Sequence, residues 1–438
     1  MYSITLVLLI IIGNKAIVAQ QVDSVENERL TIHAQTTIVN QYKPAFTAKY
    51  SGDNSLVPQE ESKTSITSTL YLGLRLWDGA SVCMNPEIAG GSGLSEALGI
   101  AAATNGETFR IGNPAPQIYL ARLYYNQIIA LTSDRTSQQS DFNQLGGSVP
   151  AEYLSFTIGK ISAADYFDDN RFSHDPRTQF LSWALMSNGA WDYPANTRGY
   201  TPSIVLEYVS PENELRYGFS LVPLTANGNE MNWDVFKAGS HTIEYTHRHR
   251  IGGQSGALRV LGFFTTATMG NYRQSLALAP VNPRIEDTRK NGNTKYGFGI
   301  NVEQNVTADL GLFIRGSWND GNSETWMFTE IDRSVSAGLS LSGLRWMRMN
   351  DNVGVAYVTS GISAPHREYL QAGGKGFMLG DGNLNYSWEH LVELYYSAEL
   401  IENHLYFTGT YQFLVNPGYN IDRRGPVNVF SVRLHARM

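Results

Sequence analysis

The sequence predicts an all-β fold, a transmembrane antiparallel β-barrel of the outer membrane with about 16 strands, short periplasmic turns and long extracellular or inward-folded loops. Three observations lead there. Apolar and polar residues alternate over stretches of about ten residues, the length that crosses a bilayer at a tilt. Short turns alternate with long polar excursions along the chain. The third is the aromatic content, 24 Tyr, 18 Phe and 8 Trp among 438 residues, ring types that sit at the headgroup level with an apolar body and a polar tip.

The first strand runs from Thr31 to Tyr42 and enters the polar stretch Lys43 to Ser65. A second covers Thr67 to Trp77 and a third Val82 to Glu87. The Gly/Ala-rich excursion from Gly90 to Gly106 is too long for a hairpin turn and reads as a loop that folds over or into something. Strand character returns from Gln117 to Leu131, at Tyr153 and at Gly199 to Tyr208.

The C-terminal half carries the cleanest alternation. Tyr296, Phe298, Ile300 and Val302 oppose Gly297, Gly299, Asn301 and Glu303, and Leu310, Leu312, Ile314 and Trp318 oppose Gly311, Arg315, Ser317 and Asn319, with Phe313 as the one misfit. Only Asn305 to Asp309 separates the two runs, so they form a hairpin. The same construction recurs around Pro211 to Glu214 and Glu402 to His404. Long excursions fill the opposite end: Asn227 to Gly239, Leu276 to Thr294 and Ser360 to His390. In the last strand Phe430, Val432, Leu434, Ala436 and Met438 share one face, and Ser431, Arg433, His435 and Arg437 the other, which predicts a basic inner wall. A propeller or soluble sandwich would show blade repeats or balanced loops instead.

Composition sets further bounds. An apolar core from Ile4 to Ile12, followed by Gly13, Asn14 and Lys15, is too short to span a bilayer and reads as a signal peptide over residues 1–19. Residues 20–29 are then a short N-terminal segment, and 30–438 a single β-barrel domain, with no room for the plug of an energy-coupled receptor. Cys83 stands alone, so no intrachain disulfide is available. With 33 basic and 40 acidic residues the net charge is −7, which gives no footprint for nucleic acid.

The chain is organised around Tyr153 to Leu185. Tyr153, Ser155, Thr157 and Gly159 alternate with Leu154, Phe156, Ile158 and Lys160 as a strand, which feeds a charged loop without period. There Lys160, Arg171 and Arg177 interleave with Asp165, Asp168, Asp169 and Asp175 beside Tyr166, Phe167, Phe172 and Trp183. That mixture suits a neutral polyhydroxyl ligand, while a solvated surface loop has the same composition.

Five stretches together resemble the carbohydrate-selective porins of the OprB type. They are Leu70 to Ile88, Lys160 to Leu185, Asn319 to Leu341, His366 to Tyr386 and Asn416 to Ala436. The resemblance implies a 16-stranded barrel of the Gram-negative outer membrane that passes small sugars by diffusion, with no cofactor and no catalysis. The chain departs from the family pattern in ending on Met438 rather than an aromatic residue, and in carrying Cys83, read as a packing substitution.

A constriction selective for neutral sugars needs hydrogen-bonding groups of both signs, since a ring of one sign selects ions. The candidates are Arg75 and Glu87 on adjacent strands, with Arg122, Lys160, Asp165, Asp168, Asn170, Asp175 and Arg177, and Trp77 and Tyr166 as stacking surfaces. Asp168, Asp175 and Arg177 serve equally well as ties of the loop to the wall, and Trp77 as an interface anchor. Glu324, Glu330, Asp332 and Arg333 read as wall ion pairs.

The expected partners are small neutral sugars, outer-membrane lipid and the barrel-assembly machinery. A general diffusion pore, and a barrel with an adhesin or hydrolase role, are the alternatives. The doublets Glu60/Glu61 and Asp168/Asp169 point opposite ways on an extended chain and are not ready-made acid/base pairs. Ser173 and His174 lack a nucleophile elbow, and His241, His247 and His249 lack a Cys or compact carboxylate partner for a metal.

Overall fold

The computed structural model describes residues 27–108 and 114–438, so the expected signal peptide lies outside the described residues. Among the described residues there are eighteen strands, of which sixteen pair antiparallel into a closed barrel. The first half contributes β1 (Leu30–Lys43), β2 (Glu61–Trp77), β3 (Ala80–Gly91), β4 (Gln117–Ala130), β7 (Tyr153–Ile161), β8 (Thr201–Val209), β9 (Asn213–Ser220) and β10 (Gly239–Ile251). The second half contributes β11 (Gln254–Ala267), β12 (Asn293–Asn305), β13 (Leu310–Asn319), β14 (Arg333–Ser342), β15 (Asn352–Gly361), β16 (Glu389–Ile401), β17 (Leu405–Val415) and β18 (Val427–Arg437). Pairing of β1 with β18, with Ile38 opposite Leu434, closes the ring and leaves no edge. The remaining strands, β5 (Arg135–Gln138) and β6 (Gly147–Pro150), form a separate two-stranded sheet.

Alternation sorts the side chains as the sequence requires. On β12 and β18, Tyr296, Phe298, Ile300, Phe430, Val432 and Leu434 are exposed outward, while Lys295, Asn301, Glu303, Ser431, Arg433 and His435 are buried within. Polar groups on the inner face are affordable only because they meet water or one another there. Phe313 breaks the pattern for a reason: it points inward, is fully buried, and packs 5.7 Å from Phe180 of the long loop that enters the barrel.

The connections are asymmetric. Residues 78–79, 210–212, 252–253, 306–309 and 402–404 make tight turns at one end. Two connections at that end depart from the expected short turns: residues 343–351 make a nine-residue loop with a 3-10 turn, and residues 131–152 carry the β5/β6 hairpin, whose polar residues show no hydropathy alternation. The second strand, β2, begins earlier than expected, at Glu61 rather than Thr67. Its first residues, Glu61 to Ser65, are polar on both faces, so periodicity cannot mark them as strand.

Two of the long connections, over residues 92–108 and 162–200, enter the lumen. Loops carry backbone N–H groups that must be satisfied, and the inner wall supplies carboxylates for them. Glu393 accepts from the N–H of Leu181 and Ser182 (2.6 and 2.9 Å), Glu389 from Ala101, Ala102 and Gly418 (3.0, 2.7 and 2.7 Å), and Glu303 from Arg171 (2.8 Å). Small wall residues make room for the loop. A Cβ at Gly218 would stand 2.9 Å from the Phe167 ring, and one at Gly299 2.6 Å from the Asn188 amide.

Candidate constriction site

The inward loop 162–200 is held by a buried clamp. Asp168 meets Arg315 of β13 at 3.1 Å and accepts from the Asn188 side chain (2.8 Å) and from Asn301 of β12 (2.6 Å), while its own N–H donates to Glu244 of β10 (2.7 Å). Arg315 adds bonds to the carbonyls of Leu185 (2.8 Å) and Asp168 (3.1 Å). Asn170 donates to Asn301 at 2.7 Å and caps the N–H of Phe172 at 2.9 Å. Further along, Arg433 of β18 reaches the carbonyls of Pro176 and Gln179 (2.7 and 2.8 Å).

A second cluster forms where both inward loops meet β2, β3 and β4. Glu87 of β3 accepts from Thr69 (2.5 Å), Tyr119 (2.5 Å) and Tyr200 (3.0 Å), and pairs with Arg177 at 3.2 Å. The Arg177 Nε also donates to both oxygens of Glu107, each at 3.0 Å. On the other side of Tyr200, Arg122 lies 5.1 Å from its ring and holds Asp165 in a two-pronged bond of 2.7 and 2.6 Å. Asp165 itself closes a capping box with Ser162 where β7 gives way to the loop. Burial pushes the Glu107 carboxyl above its ordinary range despite Arg177. Burial works the same way on Asp175, but the neighbouring Arg177 charge and N–H outweigh it and hold that carboxyl below its ordinary range.

The clusters differ in access. The Arg315 and Asp168 side chains are 2% and 1% exposed, whereas Arg122, Asp165 and Arg177 retain 10%, 27% and 12%. Arg177 also lines a chamber of about 420 Å³ towards the short-turn end, bordered by Gln179, Asn352 and Tyr406. The second cluster therefore turns two guanidinium groups and the Asp165 carboxylate towards water, with the Glu87 and Glu107 carboxylates buried behind Arg177, a mixed-sign set suited to hydroxyl groups.

The predicted site residues divide accordingly. Glu87, Arg122, Asp165 and Arg177 come together in the accessible cluster, with Tyr166 beside it, its hydroxyl donating to Thr157 (3.3 Å). Asp168 and Asn170 lie in the buried clamp, and Asp175 caps the turn before Arg177, accepting from its N–H at 2.9 Å. Three candidates are elsewhere. Arg75 is not opposed to Glu87: it pairs with Ser81 and Glu87 with Thr69, six residues apart along the strands, or roughly 20 Å. Its guanidinium binds the carbonyls of Glu28 and Gly146 instead. Trp77 is 58% exposed, beyond a bulge at Arg75/Trp77 that shifts the phase outward, and it bonds Gln127 (3.2 Å) and tilts against Tyr125. Lys160 shares the outer face with Leu154, Phe156 and Ile158, and its Nζ turns to the carbonyl of Leu120 at 2.7 Å.

Sequence reasoning missed Glu107, Tyr119 and Tyr200. Glu107 lies in a loop without period, and the contact of Tyr200 with Glu87 spans 113 residues. Glu324, Glu330 and Asp332 prove to join loops rather than line the strand wall: Glu324 binds Arg289, Glu330 accepts from the N–H of Met378 and Leu379, and Asp332 pairs with His366.

The sequence model of the carbohydrate-selective porins, OprB family, matches residues 53–438. The chain belongs to that family. Among solved structures, the high-pH form of Pseudomonas putida OprB superposes with a TM-score of 0.69 at 16% identity, covering 93% of this chain and 94% of that one. Its low-pH form gives 0.51 at 12% identity over 93% and 92%. The outer membrane channel DcaP of Acinetobacter baumannii gives 0.51 at 9% identity over 95% and 100%. No curated protein matches the chain. The chain is thus an outer-membrane sugar porin of a Gram-negative bacterium, a channel rather than an enzyme. The short-turn end is its periplasmic end.

Proposed function

We propose that this porin passes small neutral sugars of the glucose type, singly or as short oligosaccharides, by passive diffusion past the cluster of Glu87, Glu107, Arg122, Asp165 and Arg177. The observation that carries this reading is the coexistence of both signs on partly exposed side chains at the meeting of the two inward loops. Paired charges leave little net field for an ion, yet their remaining donors and acceptors replace the water that a sugar sheds. Arg is the suitable cation because its planar fork keeps its geometry while bonding a carboxylate and a hydroxyl together. Tyr119 and Tyr166 supply ring faces for the apolar side of a pyranose. Residues 1–19 act as a cleaved export signal, residues 20–29 as a short leader, and the barrel-assembly machinery inserts the 30–438 domain into outer-membrane lipid.

Single-channel conductance of the purified protein in a planar bilayer, titrated with glucose, maltose and a sugar alcohol, tests the proposal. Saturable reduction of the current by the sugars, weakened in Arg177→Ala and Arg122→Ala, is the expected result. Current indifferent to every sugar would leave a general diffusion pore.

A further inference from the structure

The periplasmic end should need only tight turns, yet 131–152 builds the β5/β6 hairpin across part of the mouth. It is anchored there. Arg75 binds the Gly146 carbonyl at 3.1 Å, the Glu28 carboxylate accepts from the Gly146 N–H at 2.7 Å, and Phe142 packs 5.9 Å from Tyr71. Between hairpin, wall and inward loop lies a chamber of about 240 Å³. Asn126, Tyr153 and Glu207 border it from the wall, Tyr166 from the inward loop, and Asn143 and Gln144 from the hairpin.

The charged groups at this chamber already have partners. Glu207 accepts from Arg216 (2.8 Å) and Ser155 (2.5 Å), and the Arg75 guanidinium donates to the backbone carbonyls of Glu28 and Gly146. The amides are not saturated. Asn126 donates to Thr157 (2.8 Å), Asn143 accepts from Asn85 (2.9 Å) and Gln144 donates to the Gln139 carbonyl (2.7 Å), each a single side-chain bond among the described residues. An amide side chain can make about four. Two tyrosine rings beside amides with free capacity form a surface for a ring that is apolar on its faces and hydroxylated at its edge. Another chamber at this end, of about 560 Å³, differs in being bordered by charged groups of both signs, Arg171, Arg248, Arg250 and Arg259 with Asp169, Glu212 and Glu303.

We propose that the hairpin chamber is a second saccharide site, distinct from the constriction and built for one neutral pyranose on the periplasmic side; the proposal rests on the reading of the chain as a sugar channel. Its volume lies below the roughly 300–1,000 Å³ of pockets for larger ligands, which limits the occupant to a single ring. A sugar that has cleared the constriction meets this site before release, and one entering from the periplasm meets it first.

The test is current block by glucose added to each side of oriented single channels of the native protein and of the double variant Asn126→Leu/Tyr153→Ala. Block from the periplasmic side is expected to weaken about tenfold in the variant, with block from the opposite side changed less than about threefold. Equal block from the periplasmic side in both proteins overturns the second site alone. A native channel that glucose blocks from neither side overturns the sugar-channel reading along with it. Should the double variant fail to insert, Gln144→Cys in the full chain decides: glucose slows its modification by a charged methanethiosulfonate if the chamber holds sugar, and an unchanged rate overturns the proposal.

Discussion

Two arginine–carboxylate pairs tie the same loop to the wall, Arg315 with Asp168 and Arg122 with Asp165, and only two residues lie between the aspartates. The first is closed to water and every oxygen of Asp168 serves the loop or the wall. The second keeps an open side. Identical chemistry thus yields a closed fastener in one place and a water-facing pair in the other, and the difference is set by burial, because removing one partner of a dry pair strands a charge that cannot be hydrated.

That contrast predicts a graded series of effects. Arg315→Ala is the most damaging, costing about 3–5 kcal/mol through the uncompensated Asp168; loss of heat resistance on electrophoresis and cleavage within 162–200 by added protease would register it. Gly299→Leu comes next, because the new side chain occupies the space of Asn188; the expected outcome is a noisy, enlarged conductance from a folded barrel, and an unaltered trace would show that the loop finds another seat. Arg177→Ala costs less stability than Arg315→Ala, because Thr69, Tyr119 and Tyr200 still donate to Glu87, and weakens sugar block about tenfold, measured by the titration described above.

The pair Asp332 and His366 extends the comparison to the extracellular loops. Burial raises the Asp332 pKa, but His366 and Lys295 more than offset it, giving a value of about 2 against an ordinary 3.8. A depressed carboxylate stabilises the loop cap at pH above its unfolded value and loses that contribution as pH falls through about 2, an effect of order 2 kcal/mol. Pepsin cleavage within 362–388 should therefore accelerate between pH 4 and pH 2 in the native protein, and Asp332→Asn should flatten that dependence. Lys160→Ala, on the outer face, is expected to leave sugar block unchanged; an effect there would bring Lys160 back to the lumen.

The barrel was legible in the sequence because membrane and lumen impose opposite demands on successive residues, as in Tyr296 to Glu303. The hairpin at 131–152 was not, since Thr136, Ser137 and Gln138 have water on one side and polar groups on the other, leaving no alternation to read. At the site, Glu87, Arg122, Asp165 and Arg177 were recognisable by residue type, but which of them meet was not. Arg75 and Glu87 looked like partners because their strands are adjacent, and only the register opposing Glu87 to Thr69 shows that they are far apart along the axis. Trp77 and Lys160 went astray through parity: a bulge turns the first outward, and strand alternation already placed the second with Leu154 and Ile158.

The wall carboxylates and arginines that satisfy the inward loop also impose a sequence of events on assembly. Among the partners of residues 168–182 are Arg315, Glu393 and Arg433, which are synthesised 147, 212 and 257 residues away from the groups they bind. Until β13, β16 and β18 are in place, the N–H groups of Leu181 and Ser182 lack their wall acceptor, and the carbonyls of Leu185, Pro176 and Gln179 lack their arginine donors. The narrow passage is therefore the last part of the molecule to acquire its shape, and a barrel halted before β18 pairs with β1 would be a wide, unselective hole.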